Sequence, residues 1–216
     1  MKKFGMIALV LLLLAGPAAG QTRNLVGLVS DAECPLVAST HFNDCFNELY
    51  CGVQEVCLVL VEPWNDALDA PISLIGGFEC KLILPDEIFL LGITLPPASV
   101  NFKPLPELVV GTYMPVVGEQ TVLATLTVLV PEYVGDTFYA RLTPVGVVYQ
   151  SIPGRLAITD AADEFSLQAV DAFGPDGISV DYTDPMLYFG DPHGSGAPCV
   201  VPNADETWGS LKALYR

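Results

Sequence analysis

Residues 75–97, IGGFECKLILPDEIFLLGITLPP, alternate apolar and polar side chains, break at Pro85-Asp86, and then alternate again. A period of two belongs to a half-buried β-strand, whose successive side chains point to opposite faces. Phe78, Cys80, Leu82 and Leu84 fall on one face and Glu79 and Lys81 on the other, with Ile83 interrupting the polar side. The segment therefore predicts a strand, a Pro-Asp turn and a second strand. The same device recurs along the chain, because 19 Gly and 18 Pro punctuate it at short intervals. Strands are expected at 24–30, 56–62, 75–84, 88–95, 108–114, 121–130, 137–143, 165–170 and 178–182. Within TVLATLTVLV at 121–130, the wholly apolar set Val122, Ala124, Leu126, Val128 and Val130 is expected to face the core. Many short strands without intervening helices predict an all-β fold, an antiparallel β-sandwich of jelly-roll or immunoglobulin-like type. No repeat of fixed period is visible, which argues against a propeller or solenoid.

The N-terminus is read separately. Lys2-Lys3 followed by FGMIALVLLLLAGPAAG has the basic, apolar and small-residue parts of a secretory signal, with cleavage expected after Gly20. The apolar run is too short and too early for a spanning helix, and no Cys lies near the cut to carry a lipid. The remaining 216 − 20 = 196 residues suit one β domain, expected over 21–202, with a separate tail at 203–216. Two of the nine basic residues leave with the signal while all 25 acids stay, so the mature formal charge is 7 − 25 = −18. That balance opposes nucleic acid and anionic lipid, which are bound through Lys and Arg. A secreted or cell-surface location is expected, or the periplasm.

Export also governs the six cysteines, Cys34, Cys45, Cys51, Cys57, Cys80 and Cys199. An even number in an oxidising compartment predicts disulfides, with the pairing open among fifteen possibilities. Four of the six crowd into 34–57, around STHFNDCFNELYCGVQ, which reads as a loop stapled onto the domain. His41 with Cys45, Cys51 and Cys57 offers zinc-ligand chemistry, but the spacings match no tight Cys-x2-Cys knuckle.

The succession GGFECKLILPDEIFLLGITL, followed by TVLATLTVLV, resembles the cohesin-like and carbohydrate-binding-module-like β-sandwiches of secreted bacterial proteins, over about residues 56–143. That resemblance implies protein docking, glycan binding or cell-surface scaffolding, and rarely catalysis. The cysteine-rich loop is foreign to the pattern, so no binding residues are carried over.

Several residue clusters offer chemistry of their own. Asp191, His193 and Ser195 lie together in DPHGSGAP, yet no Gly-x-Ser-x-Gly elbow surrounds the serine, and a polar turn accounts for the cluster. No carboxylate pair is singled out for glycoside hydrolysis, which needs two acids at a set separation. Calcium is the cofactor the acidic turns suggest, through Asp160, Asp163 and Glu164 or through Asp176, Asp181 and Asp184, although neither set has the spacing of an EF-hand loop. A solvated acidic face explains the same residues. Trp64, lying among turn residues in EPWNDALD, is either a sugar-stacking ring or a plug at the end of the sandwich. Near the C-terminus, Trp208, Leu211 and Tyr215 recur at helical spacing, and they predict a short amphipathic helix, docked on the domain or presented to a partner. The expectation for function is a secreted, acidic binding or structural module without catalysis, recognising protein or glycan at the cell surface. The alternative is an extracellular hydrolase acting through surface carboxylates.

Overall fold

A computed structural model describes residues 23–30, 52–118, 120–130, 138–174 and 179–189. They form fourteen strands: β1 (Leu25–Val29), β2 (Gly52–Val61), β3 (Trp64–Asn65), β4 (Ala70–Pro71), β5 (Leu74–Ile83), β6 (Phe89–Thr94), β7 (Val100–Asn101), β8 (Glu107–Pro115), β9 (Gln120–Val130), β10 (Phe138–Thr143), β11 (Leu156–Asp160), β12 (Ser166–Phe173), β13 (Ser179–Val180) and β14 (Leu187–Phe189). A single 3-10 turn at Val147–Tyr149 is the only helical element among the described residues. The described residues therefore adopt the expected all-β class. The predicted C-terminal helix, with Trp208, Leu211 and Tyr215, lies outside the described residues, as do Cys34, Cys45, Cys51, Cys199, His41, His193 and Asp176.

Twelve strands join into one sheet, and β3 pairs with β4 apart from it. The central path runs β14-β10-β5-β11-β12-β1-β2-β9-β6. Strand β5 is the hub of one half. Strand β8 lies along one of its edges, and β11 and β10 follow one another along the other. The sheet is mixed rather than wholly antiparallel, because β1 runs parallel to β12 with Leu25 opposite Asp171. The two halves curl around a common core. Val26, Leu58 and Leu126 from one half meet Phe78, Leu108 and Ile158 from the other, all nearly inaccessible to water. Each such side chain contributes about 1.5–3 kcal/mol by leaving water.

The Pro85-Asp86 turn does not close a hairpin. Strand β5 pairs with β8, β10 and β11, whereas β6 pairs with β9 in the other half of the sheet. The turn is thus an arch between halves. In β9, Ala124, Leu126, Val128 and Val130 face the core as the alternation predicts, but Val122 does not. A bulge opposite Leu58/Val59 inserts Leu123 as an unpaired residue and inverts the facing of everything before it. Val122 consequently joins a second cluster on the outer face, with Leu25, Val29, Val59, Val61 and Phe173. The Phe173 ring in that cluster lies directly on Gly27, where a Cβ would come within 2.5 Å of it.

The disulfide expectation is corrected for Cys80 alone. It is a free thiol buried in the main core, 3% exposed, on the same strand face as Phe78 and Leu82. Burial, helped by the negative charge of Glu79, pushes its pKa up to about 12. Cys57 lies half-buried beside the outer cluster, so the two sulfurs occupy different faces and no bridge joins them. Alternation alone already placed Cys80 inward.

Candidate functional site

The outer face of β5, β8 and β11 carries a groove of about 220 Å³. Its floor is nearly bare backbone at Gly76, Gly77 and Gly111, and Phe102, Phe165 and Leu167 rise around it. The glycines are there for space. A Cβ on Gly77 would sit 2.6 Å from the Val110 carbonyl oxygen, one on Gly76 would sit 2.6 Å from the Phe165 ring, and one on Gly111 would press on Phe102 at 3.1 Å. Gly76 is also the bulged residue of β5, skipped by the ladders to both neighbours, which is the position at which Gly in a strand is expected. The rings are open to solvent, with Phe102 68% and Phe165 45% exposed, and Tyr113 packs edge-on against Phe165 at 5.6 Å.

Phe165 is held there at a conformational cost. Glu164 and Phe165 have φ of 48° and 59°, two consecutive non-glycine residues in the left-handed region. Such residues cost on the order of 1–3 kcal/mol each and persist where the surroundings dictate them. The surroundings here are the acidic residues singled out for calcium. Asn65 Nδ2 donates to Asp160 Oδ2 and Asp163 Oδ2, both at 3.0 Å, and to Ser166 Oγ at 3.1 Å. Asn65 Oδ1 accepts from the amides of Ala67 and Leu68, which fixes which way the side-chain amide points. Asp160 Oδ1 accepts from Ala162 N at 2.9 Å. Asp160 and Asp163 do converge, then, but on an amide, and the network clamps the β11–β12 turn that presents Phe165. Glu164 is exposed. Asp181 and Asp184 cap their own turn, with Asp184 Oδ2 accepting from Asp181 N at 3.1 Å. No group of three or more potential metal ligands from His, Cys, Asp and Glu gathers among the described residues.

At one end of the groove lies Glu79, a carboxylate only 6% exposed. Its oxygens accept from Ser151 N at 2.7 Å and Ser151 Oγ at 2.8 Å. No cation is within ion-pairing distance of it among the described residues. Thr159 lines the same groove, and its buried Oγ1 has no hydrogen-bond partner. Beyond the groove, Lys103 Nζ stands 3.0 Å over the Tyr149 ring, close to the exposed Val147 and Val148.

Trp64 belongs elsewhere. It is half-buried in β3, with the Arg23 guanidinium 3.7 Å over its ring, and it lines a separate cleft with Glu62, Pro71 and Val116. One ring face is therefore already covered. Sequence reading missed the groove because its glycines look like punctuation and Glu79 looks solvated. The visible signal was the GG doublet inside an otherwise regular strand. No helix among the described residues is long and apolar enough to cross a membrane. Comparison of the chain with family models, with curated proteins and with solved structures gives no match.

Proposed function

We propose that the chain is an exported, non-catalytic recognition module of sandwich type, and that the groove between Phe102 and Phe165 is its binding face. The observation that carries this reading is the exposure of rings over a floor kept clear by glycine. Solvent-facing aromatics with a few placed polar groups are the usual make-up of binding clefts. Backbone strain at Phe165, maintained by a buried hydrogen-bond network, is further support, since such strain gathers at ligand-contacting positions. Glu79 is the groove's single carboxylate, which supports recognition over the two-carboxylate hydrolysis considered as the alternative. The resemblance to cohesin-like and carbohydrate-binding sandwiches agrees with such a role at a cell surface, with protein or glycan as partner.

The test is a screen of the purified protein on glycan and peptide arrays, followed by Phe102→Ala. Phe102 is 68% exposed, so the variant should melt within about 1 °C of the parent while losing the ligands found. Ligands retained in full by Phe102→Ala would remove the groove from the argument.

A further inference from the structure

Resting on that reading of the groove, we propose that its ligand is a cationic side chain, the ammonium of a lysine or the guanidinium of an arginine on a partner protein. The ion is received by Glu79, and its methylene stem lies between Phe102 and Phe165.

The argument starts from what Glu79 lacks. An ionised carboxylate offers about four lone-pair positions, and Ser151 fills two of them. Burial of a charge is costly unless it is paired. Among the described residues no cation pairs with Glu79, although Lys81 lies two residues away on the same strand face. The remaining acceptor positions adjoin a groove with few groups able to donate. Ser151 N–H and Oγ–H already serve Glu79, and the other lining side chains are apolar except Thr159. A ligand must therefore bring its own donors, and a charged donor gains most from a poorly solvated carboxylate.

Three further observations point the same way. Aromatic rings attract cations through the ring quadrupole, and Phe102 and Phe165 are two rings lining the groove that Glu79 also lines. The cavity, about 220 Å³, is below the roughly 300–1,000 Å³ of clefts that engulf a whole small molecule, and it suits one inserted side chain. The chain carries 25 acidic against 9 basic residues, so a basic partner is drawn towards it, while a second copy of the same chain is repelled. A neutral glycan also stacks on aromatics, but it would leave the buried charge of Glu79 without a counter-ion.

The experiment is an amide-resolved NMR titration of the full protein with three probes. They are the blocked peptide acetyl-Gly-Ala-Lys-Ala-Gly-amide, the same peptide with norleucine for lysine, and a β-glucan tetrasaccharide. The lysine peptide should shift the amides of Gly76, Gly77 and Gly111 saturably. Norleucine, which keeps the stem and loses the charge, should bind at least tenfold more weakly. Glu79→Gln should weaken the lysine peptide at least tenfold and leave the norleucine peptide unchanged, with Glu79→Asp intermediate. Equal binding of the lysine and norleucine peptides, or an unchanged lysine affinity in Glu79→Gln, overturns the cationic ligand and leaves the groove as an apolar binding face. Groove shifts caused only by the tetrasaccharide overturn it in favour of glycan recognition. If no probe moves these amides, the cationic ligand is likewise overturned, and Phe102→Ala on the arrays decides separately whether the groove binds anything.

Discussion

Replacing Asn65 by Asp changes one atom's chemistry and reverses the logic of the turn beneath Phe165. The native amide donates to Asp160, Asp163 and Ser166, while its oxygen accepts from the Ala67 and Leu68 amides. An aspartate keeps that acceptor role but turns a second carboxylate oxygen towards two carboxylates and the hydroxyl. Hydrogen bonds to charged groups contribute about 1.5–3 kcal/mol each, so losing two of them costs roughly 3–6 kcal/mol before repulsion is counted. Asp160 is 4% exposed, and water cannot replace what it loses. For a domain of this size each kcal/mol shifts the melt by about 2–4 °C, so Asn65→Asp should melt roughly 6–24 °C earlier. Urea denaturation followed by far-ultraviolet circular dichroism supplies the free energy directly. The same substitution creates three converging carboxylates, a favourable set of hard oxygen ligands for calcium. Millimolar calcium should accordingly restore much of the variant's stability and do far less for the parent. A variant within about 0.5 kcal/mol of the parent, without added calcium, would refute the assignment of these carboxylates to the Asn65 amide.

Other outcomes follow from the core. Gly27→Ala should destabilise by about 1–3 kcal/mol, because its Cβ meets the Phe173 ring at 2.5 Å, and a second change, Phe173→Leu, should recover part of the loss by making room. The Cys80 thiol should resist modification in the native protein and react once the chain unfolds. Its pKa is raised by folding from 9.0 to about 12, so the stability it contributes is complete below pH 9 and is lost as pH rises towards 12. The loss is at most on the order of 4 kcal/mol. Cys80→Ala should flatten that alkaline decline in urea titrations, and an identical slope in parent and variant would contradict the burial of a neutral thiol.

Strand positions were legible because alternation is a local property: each residue's facing follows from its neighbour's. The inward set Phe78, Cys80 and Leu82 and most of β9 were therefore readable from the sequence. The short strands β3, β4, β7 and β14 were not, being two or three residues long, and β11 was missed between turn signals. Partner choice was also out of reach. That β5 pairs with β8, β10 and β11 while β6 crosses to β9 depends on how the halves close over the core, and nothing in a Pro-Asp dipeptide distinguishes an arch from a hairpin. The Val122 error has the same origin, since a one-residue bulge is set by the ladder to β2 and inverts the facing of Thr121–Leu123.

The site divides along the same line. Sequence alone determined the all-β class, the acidic surface and the clustering of carboxylates at 160–164, since each depends only on local order or composition. Tertiary structure decided what those residues do. Asn65, 95 residues from Asp160, draws the carboxylates of Asp160 and Asp163 into a clamp on the β11–β12 turn, and Ser151, 72 residues from Glu79, closes over a side chain that alternation had assigned to solvent. Long-range contacts of this kind carry no local signature, because the energy that selects them is released only when distant segments desolvate one another.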